Sequence, residues 1–272
     1  MPRSTRPELA TRARLDAELV RRGLARSRDQ AAELIAAGRV RVGGAVATKP
    51  ATGVEAATPI LVRELAGPAY ASRGGHKLAG ALDAFGFDPS GRRALDAGAS
   101  TGGFTDVLLQ RGVAHVVAVD VGYGQLAWSL QSDERVTVLD RTNVRALEPE
   151  QVGEPVDLVV ADLSFIPLGL VLPALVRCAA PHADLLPMVK PQFEVGRERL
   201  PSGGVVRDPG LRAETVRHVA EQAHGLGLGV RGVTASPLPG PSGNVEYFLW
   251  LTADAPPLDE AMLTTAVEEG PQ

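Results

Sequence analysis

Beyond Arg73 the chain repeats one pattern: a stretch with helical spacing, then a short run of apolar residues, then another helical stretch. The runs "RALDAG", "HVVAVDV", "VDLVVADLS", "ADLLPMVK" and "VEYFLWLT" are nearly continuous in apolar character, as strands buried on both faces are. Strands that alternate with helices define an α/β chain, a mostly parallel sheet with helices on both sides. Ligands of such sheets lie at the carboxyl ends of the strands. The residues that follow each run are therefore where chemistry is expected.

The first run opens into Leu95-Asp96-Ala97-Gly98-Ala99-Ser100-Thr101-Gly102-Gly103-Phe104, a glycine-rich turn ahead of a helix. Such a turn lets the backbone and a helix N-terminus come close to a ligand. Asp120 closes the next strand 22 residues after Gly98, where a carboxylate accepts hydrogen bonds from ribose hydroxyls. That spacing suits an adenosine cofactor. The dinucleotide pattern G-x-G-x-x-G requires glycine at the position held by Ser100, so S-adenosyl-L-methionine fits better than a nicotinamide dinucleotide. The expected cofactor set is Gly98, Ala99, Ser100, Thr101, Gly102, Gly103, Phe104 and Asp120, with Asp140 and Asn143 after the third strand. For the last two, contact with the adenine end and helix capping are both open.

Four more polar residues point to the reaction. Asp162 ends the fourth strand, Lys190 follows the very apolar fifth, and Glu246 opens the last. Lys77 lies in "SRGGHKLAGALDAFG", a helix ahead of the first strand. A ribose hydroxyl is a poor nucleophile at neutral pH and must lose or share its proton as it attacks a methyl group. Lys190 is assigned to that proton: two neighbouring, partly desolvated lysines lower each other's proton affinity, so one serves as base or stabilises the developing alkoxide. Asp162 and Glu246 orient the pair, and in-line placement of the hydroxyl supplies a further share of the acceleration. No metal is required. The five histidines, His76, His115, His182, His218 and His224, show no H-x-x-x-H pair or cysteine companions.

Charge divides the chain unevenly. The first 50 residues hold eleven Arg or Lys against five acids, hence +6, whereas the remaining 222 hold 17 against 27, hence −10. A basic module joined to an acidic body points to a phosphate-rich partner. Leu15, Leu19 and Leu24 form a sparse stripe on a first helix ended by Gly23, and Ser27 with Gln30 forms a capping box for a second closed by Gly38. Alternating Arg39-Val40-Arg41-Val42, a Gly43-Gly44 turn and Ala45-Val46-Ala47 then predict a hairpin with its arginines toward solvent.

The stretch "RLDAELVRRGLARSRDQAAELIAAGRVRVGG" resembles an S4 domain, an RNA-binding module, over about fifty residues. The resemblance implies that Arg12, Arg14, Arg26, Arg28, Arg39 and Arg41 face phosphates. Downstream, "DAGASTGGF" with Lys77, Asp162, Lys190 and Glu246 in that order resembles the FtsJ-like RNA 2′-O-methyltransferases. With "VDVGYGQLAWSL", "ADLSFI", "VKPQFEVG" and "SPLPGPSGNVEYFLWL", the chain from Arg12 to Thr252 is similar to their TlyA subgroup, also labelled haemolysin. That likeness implies a Rossmann-like S-adenosylmethionine-dependent domain, its seven-stranded sheet mostly parallel with the last strand antiparallel, behind a small α+β S4-like domain. It further implies a K-D-K-E catalytic tetrad and 2′-O-methylation of cytidine in 16S or 23S ribosomal RNA, with an effect on susceptibility to capreomycin-type antibiotics. Relatives carry an Arg-x-Trp-Val linker where this chain has Pro68-Ala69-Tyr70-Ala71. The expected division is a basic arm over 1–11, an S4-like domain over 12–64, a linker over 65–72, a methyltransferase domain over 73–255 and a C-terminal tail over 256–272. The tail is expected to be a helix with a frayed end, and Ser202-Gly203-Gly204 a mobile loop.

Other classes leave weaker marks. A single cysteine, Cys178, allows no internal disulfide and reads as a small buried hydrophobe in a reducing cytoplasm. No run reaches the roughly 18 to 20 apolar residues of a membrane span, and the start lacks a signal-peptide core. The expected partner is ribosomal RNA or a ribosomal subunit, with no membrane and no metal. Two alternatives stay open: a membrane-active haemolysin, which lysis by a Lys190 variant would favour, and a non-catalytic ribosome assembly factor, which failure to bind S-adenosylmethionine would favour.

Overall fold

The computed structural model describes residues 12–25, 27–36, 38–63 and 70–270, without the side chains of residues 33 and 36. By contact density it divides into two units, Met1–Ala69 and Tyr70–Gln272. The expected basic arm and most of the expected linker lie outside the described residues.

The first unit runs β1 (Ala13–Arg14), α1 (Leu15–Arg21), α2 (Arg28–Ala36), β2 (Val40–Val42), β3 (Ala45–Val46), β4 (Gly53–Val54) and β5 (Ile60–Val62). Gly43 and Gly44 take φ of 56° and 88°, the left-handed pair that a two-residue hairpin needs, and β2 and β3 pair antiparallel across them. β5 completes a three-stranded sheet on the other side of β2, and β1 pairs with β4. Ser27 Oγ accepts the Gln30 amide at 3.1 Å, and Gly38, at φ 66°, follows α2. Leu15, Leu19, Ile35, Val40 and Val54 form the core. Leu24 departs from its expected stripe: it lies beyond the left-handed Gly23 and is exposed, and Ala25 enters the core instead.

The second unit runs α3 (Gly74–Phe85), β6 (Arg93–Ala97), α4 (Gly103–Gln110), β7 (His115–Val119), α5 (Trp128–Gln131), β8 (Val136–Leu139), α6 (Pro149–Val152), β9 (Val156–Ala161), α7 (Leu172–Cys178), β10 (Ala179–Val189), α8 (Pro191–Glu194), α9 (Pro209–His224), β11 (Gly229–Ala235), β12 (Tyr247–Thr252) and α10 (Glu260–Glu269). Seven strands form one sheet in the order β11-β12-β10-β9-β6-β7-β8, parallel except for β12, which is antiparallel to both neighbours. The two-residue period of a strand sends alternate side chains to opposite helical layers. Leu158, Val160, Leu186, Met188 and Phe248 meet the layer of α3 and α4, whereas Val159, Leu185, Val189, Tyr247 and Leu249 meet the layer of α7, α9 and α10. Both faces are covered, which is why the strand sequences are continuously apolar.

Two segments pack more closely than the sequence suggests. Tyr70 and Ala71, expected in the linker, lie against the second unit: the Ala71 amide donates to Asp106 Oδ2 at 2.7 Å, and the Tyr70 ring meets His76 edge-on at 5.0 Å. In the tail, α10 buries Leu263, Ala266 and Val267 in the core. Cys178 is buried in the same core, and burial pushes its thiol pKa up.

Candidate active site

The sheet order decides which residues can meet. Parallel β9 and β10 end at one edge of the sheet, and antiparallel β12 begins there, so Asp162, Lys190 and Glu246, each adjoining a strand end, converge. Lys77 reaches them from α3, which lies close to the "SPLPGP" segment. A side chain at Gly80 would come within 2.6 Å of the Pro237 ring, and Arg73 donates to the Pro239 carbonyl. The result is two ion pairs. Lys77 Nζ is 2.5 Å from Glu246 Oε2, with both residues buried, and Lys190 Nζ is 2.5 Å from Asp162 Oδ1. Each lysine thus has its own carboxylate, where the sequence suggested a pair acting chiefly on each other. Lys190 also donates to Ser164 Oγ at 3.0 Å, and Gln192 Nε2, from the short α8, donates to Glu246 Oε1 at 3.4 Å.

The glycine-rich turn lies beside these pairs, and its glycines have steric causes. Gly98 has φ 86°, and a Cβ there would stand 2.6 Å from the carbonyl oxygen of Asp162. Gly102, at φ 96°, leaves room for Leu126 and Leu130, while a Cβ on Gly103 would strike Ser72 Oγ and the Gly75 amide. Ala99 is buried, Thr101 is exposed, and Ser100 takes φ 49°, rare for a residue other than glycine. Asp120 holds this turn: its Oδ2 accepts the Ser100 amide at 2.8 Å and its Oδ1 the Gly122 amide at 2.7 Å. Asp140 Oδ2 accepts the Gly124 amide at 2.9 Å. Asn143 caps the 3₁₀ turn Val144–Ala146 through its side-chain oxygen, the second of its two expected roles. Phe104 points into the core beside Phe248.

In the N-terminal unit the arginines are engaged by acids. Asp16 holds Arg14 and Arg28, Glu18 holds Arg21 and Arg22, and Glu55 holds Arg12. Hydrogen bonds from Arg14 and Arg28 keep the Asp16 carboxyl well below the usual carboxylate range, and those from Arg21 and Arg22 lower Glu18 to about 2. The hairpin arginines are less free than expected: Arg39 Nε donates to the Arg63 carbonyl at 2.9 Å, and Arg41 is half-buried, its Nε without a hydrogen-bond partner. Arg26 lies outside the described residues.

Several residues of the site carry no isolated signal in the sequence. Asp96 is fully buried; its Oδ2 accepts from Thr105 Oγ1 at 2.6 Å and its Oδ1 has no partner. Burial, with the charges of Asp162 and Asp120 adding, raises its pKa to about 7. Glu194 accepts the Leu168 amide at 2.9 Å and is likewise raised to about 7 by burial. Phe165, three residues after Asp162 in "ADLSFI", is 89% exposed at φ 65°, its ring 5.0 Å from that of Phe193. The quoted motifs contain all of these residues, but their burial, partners and exposure appear only in the fold. A separate cleft between β11 and α10, lined by Val233, Ser236, Met262 and Glu269 among others, contains none of them. Among the described residues no three His, Cys, Asp or Glu are grouped to hold a metal, and no helix is long and apolar enough to cross a membrane.

A seven-stranded sheet of this order, its single antiparallel strand beside β10 and its glycine turn after β6, is the fold of a methyltransferase. The chain belongs to the FtsJ-like methyltransferase family, whose model matches residues 70–253, and an S4 domain matches residues 13–58. It is 62% identical to the 16S/23S rRNA (cytidine-2′-O)-methyltransferase TlyA of Mycobacterium tuberculosis, over 97% of this chain and all of that one. Two solved structures that carry the label hemolysin are also similar. That from Streptococcus thermophilus has a TM-score of 0.76 and 35% identity, over 96% of both chains, and that from Lactococcus lactis 0.70 and 39%, over 74% of this chain and 97% of its own.

Proposed function

We propose that this protein transfers a methyl group from S-adenosyl-L-methionine to the ribose 2′-hydroxyl of cytidine in ribosomal RNA, in the cytoplasm. The observation that carries the chemistry is the double pair Lys77–Glu246 and Lys190–Asp162 at one sheet edge. The substrate follows the relative that is 62% identical over nearly the whole chain.

The residues present fit the cofactor. Asp120 and Asp140 supply acceptors for hydroxyl and amino groups at the ends of β7 and β8, and the N-terminus of α4 supplies amide donors. Asp96 keeps one carboxylate oxygen unpartnered at the start of the glycine turn, an acceptor left over for a polar or cationic group. S-adenosyl-L-methionine, once bound, supplies an electrophilic methyl group on a sulfonium. The chain's part is to position and polarise the hydroxyl. Of the three N–H bonds of a Lys190 ammonium, one meets Asp162 and one Ser164, which leaves one for the 2′-oxygen as negative charge grows on it. The released proton is taken up by the Lys190–Asp162 pair, whose acid is the more exposed member. Lys77 and Glu246, fully enclosed, hold α3 and the start of β12 in register around that point. The exposed Phe165 ring offers a face on which a nucleobase can stack.

The test is transfer of tritiated methyl to ribosomal subunits and free rRNA by wild type and Lys190→Ala, with the 2′-O-methyl position mapped. Labelling of cytidine by wild type, lost in the variant while S-adenosylmethionine binding persists in calorimetry, supports the reading. Equal turnover by the variant removes Lys190 from the mechanism, and no labelling of any RNA removes the proposed function.

A further inference from the structure

One buried carboxylate in the N-terminal unit carries two exposed guanidinium groups. Asp16 is only 4% exposed, yet among the described residues it accepts four hydrogen bonds. Its Oδ1 accepts Arg14 Nε at 3.1 Å and the Ala17 amide at 2.8 Å; its Oδ2 accepts Arg14 Nη2 at 2.9 Å and Arg28 Nη2 at 3.0 Å. Arg14 comes from β1 and Arg28 from the first residue of α2, and their side chains remain 52% and 59% exposed. The two-point grip fixes the plane of the Arg14 guanidinium, and the shared oxygen fixes Arg28 beside it. Neither Arg14 Nη1 nor Arg28 Nε and Nη1 is used by Asp16. The pair of Arg12 with Glu55 differs: both of its contacts are 3.3 Å and both side chains are well exposed.

We propose that Asp16 is a positioning residue for RNA: it holds Arg14 and Arg28 as a preformed two-guanidinium clamp for the phosphodiester backbone. Counting charge alone gives the opposite expectation, since an acid in a basic module repels a polyanion. Geometry outweighs charge here because two long side chains are ordered on folding and need not be ordered again on binding. The planar guanidinium also gains more from fixed orientation than a point charge does. The proposal rests on the reading that this protein docks on ribosomal RNA.

The test uses the full chain, 16S and 23S rRNA transcripts, and binding measured between about 50 and 200 mM salt. Asp16→Asn removes a negative charge and should nevertheless bind about fivefold more weakly, the cost of leaving one long side chain unordered. Its slope of log affinity against log salt should stay that of wild type, because both arginines remain; Arg14→Ala should reduce the slope by about 0.7 to 0.9. Asp16→Glu keeps the charge, moves the carboxylate by one methylene, and should also weaken binding. Glu55→Gln removes an exposed acid and should bind no more weakly than wild type. In wild type without RNA, the Arg14 Nε–H should exchange with water more slowly than that of Arg12. This last measurement stands even if an Asp16 variant fails to fold. Binding by folded Asp16→Asn or Asp16→Glu equal to or tighter than wild type overturns the proposal, as does equal exchange at Arg14 and Arg12. If Arg14→Ala/Arg28→Ala binds RNA as well as wild type, docking through this unit is itself wrong. If that variant weakens and the Asp16 variants do not, only the role of Asp16 falls.

Discussion

A buried ion pair is sensitive to the loss of one member alone. Glu246→Ala leaves the Lys77 ammonium enclosed without its carboxylate, and the expected cost is about 3 to 5 kcal/mol of stability. Replacing both by apolar residues of similar size, Lys77→Met with Glu246→Leu, should restore most of that stability and none of the methyl transfer. Denaturant titration beside the tritium assay checks this, and a double variant no more stable than Glu246→Ala would refute it. Asp96 makes a second prediction. Its folded pKa of about 7 stands above the ordinary value near 4, so between those values the folded chain holds a proton that the unfolded chain has released. Stability therefore falls as pH rises through that window and levels above it, and Glu194 slopes the same way. Asp96→Asn should flatten the decline in Tm between about pH 5 and pH 8; an unchanged slope would show that Asp96 is not the titrating group. Of these residues, the tetrad was legible because each member adjoins an apolar strand or sits in a patterned helix. Asp96 was not, because an acid inside "RALDAG" looks like part of the turn until the fold shows it facing Thr105 from a buried strand position.

Among the elements, the segment between β9 and α7 combines strain with exposure. Phe165 holds φ 65°, a conformation that costs a non-glycine residue about 1 to 2 kcal/mol, and its ring remains in solvent against Phe193. A residue kept under strain without burial suggests a use for the ring. Phe165→Ala should leave stability within about 0.5 kcal/mol and raise KM for RNA more than it lowers kcat. A large loss of Tm with normal KM would make the ring structural. The strands were readable from sequence since both faces are buried, and the capping chemistry of Ser27, Gly38 and the Gly43-Gly44 turn had local causes. The β1–β4 pairing was not readable: two residues carry too little pattern, and their partners lie 39 and 41 residues away. Nor was the turn's true constraint, for Gly98 is required by the carbonyl of Asp162, which no local pattern contains.

Over the whole molecule, charge and chemistry belong to different units. The basic excess lies in the first 50 residues, while the catalytic unit is acidic. RNA affinity should therefore fall steeply with salt, by about 0.7 to 0.9 in log-log slope for each phosphate contact, while affinity for S-adenosylmethionine barely changes. Parallel titrations of the two ligands from low to high salt test this, and an RNA affinity insensitive to salt would contradict it. The sequence made that division plain through the charge count, but it overstated the freedom of the arginines, because pairing with Asp16, Glu18 and Glu55 exists only once the unit folds. Cys178 has a practical consequence at the same scale. The only thiol of the chain is enclosed in the core and poorly ionised, so it resists alkylation in the native protein. Cysteines placed on the surfaces of the two units would then be the sole handles for dyes or spin labels, and distances between the units could be followed during RNA docking without first engineering the native residue away.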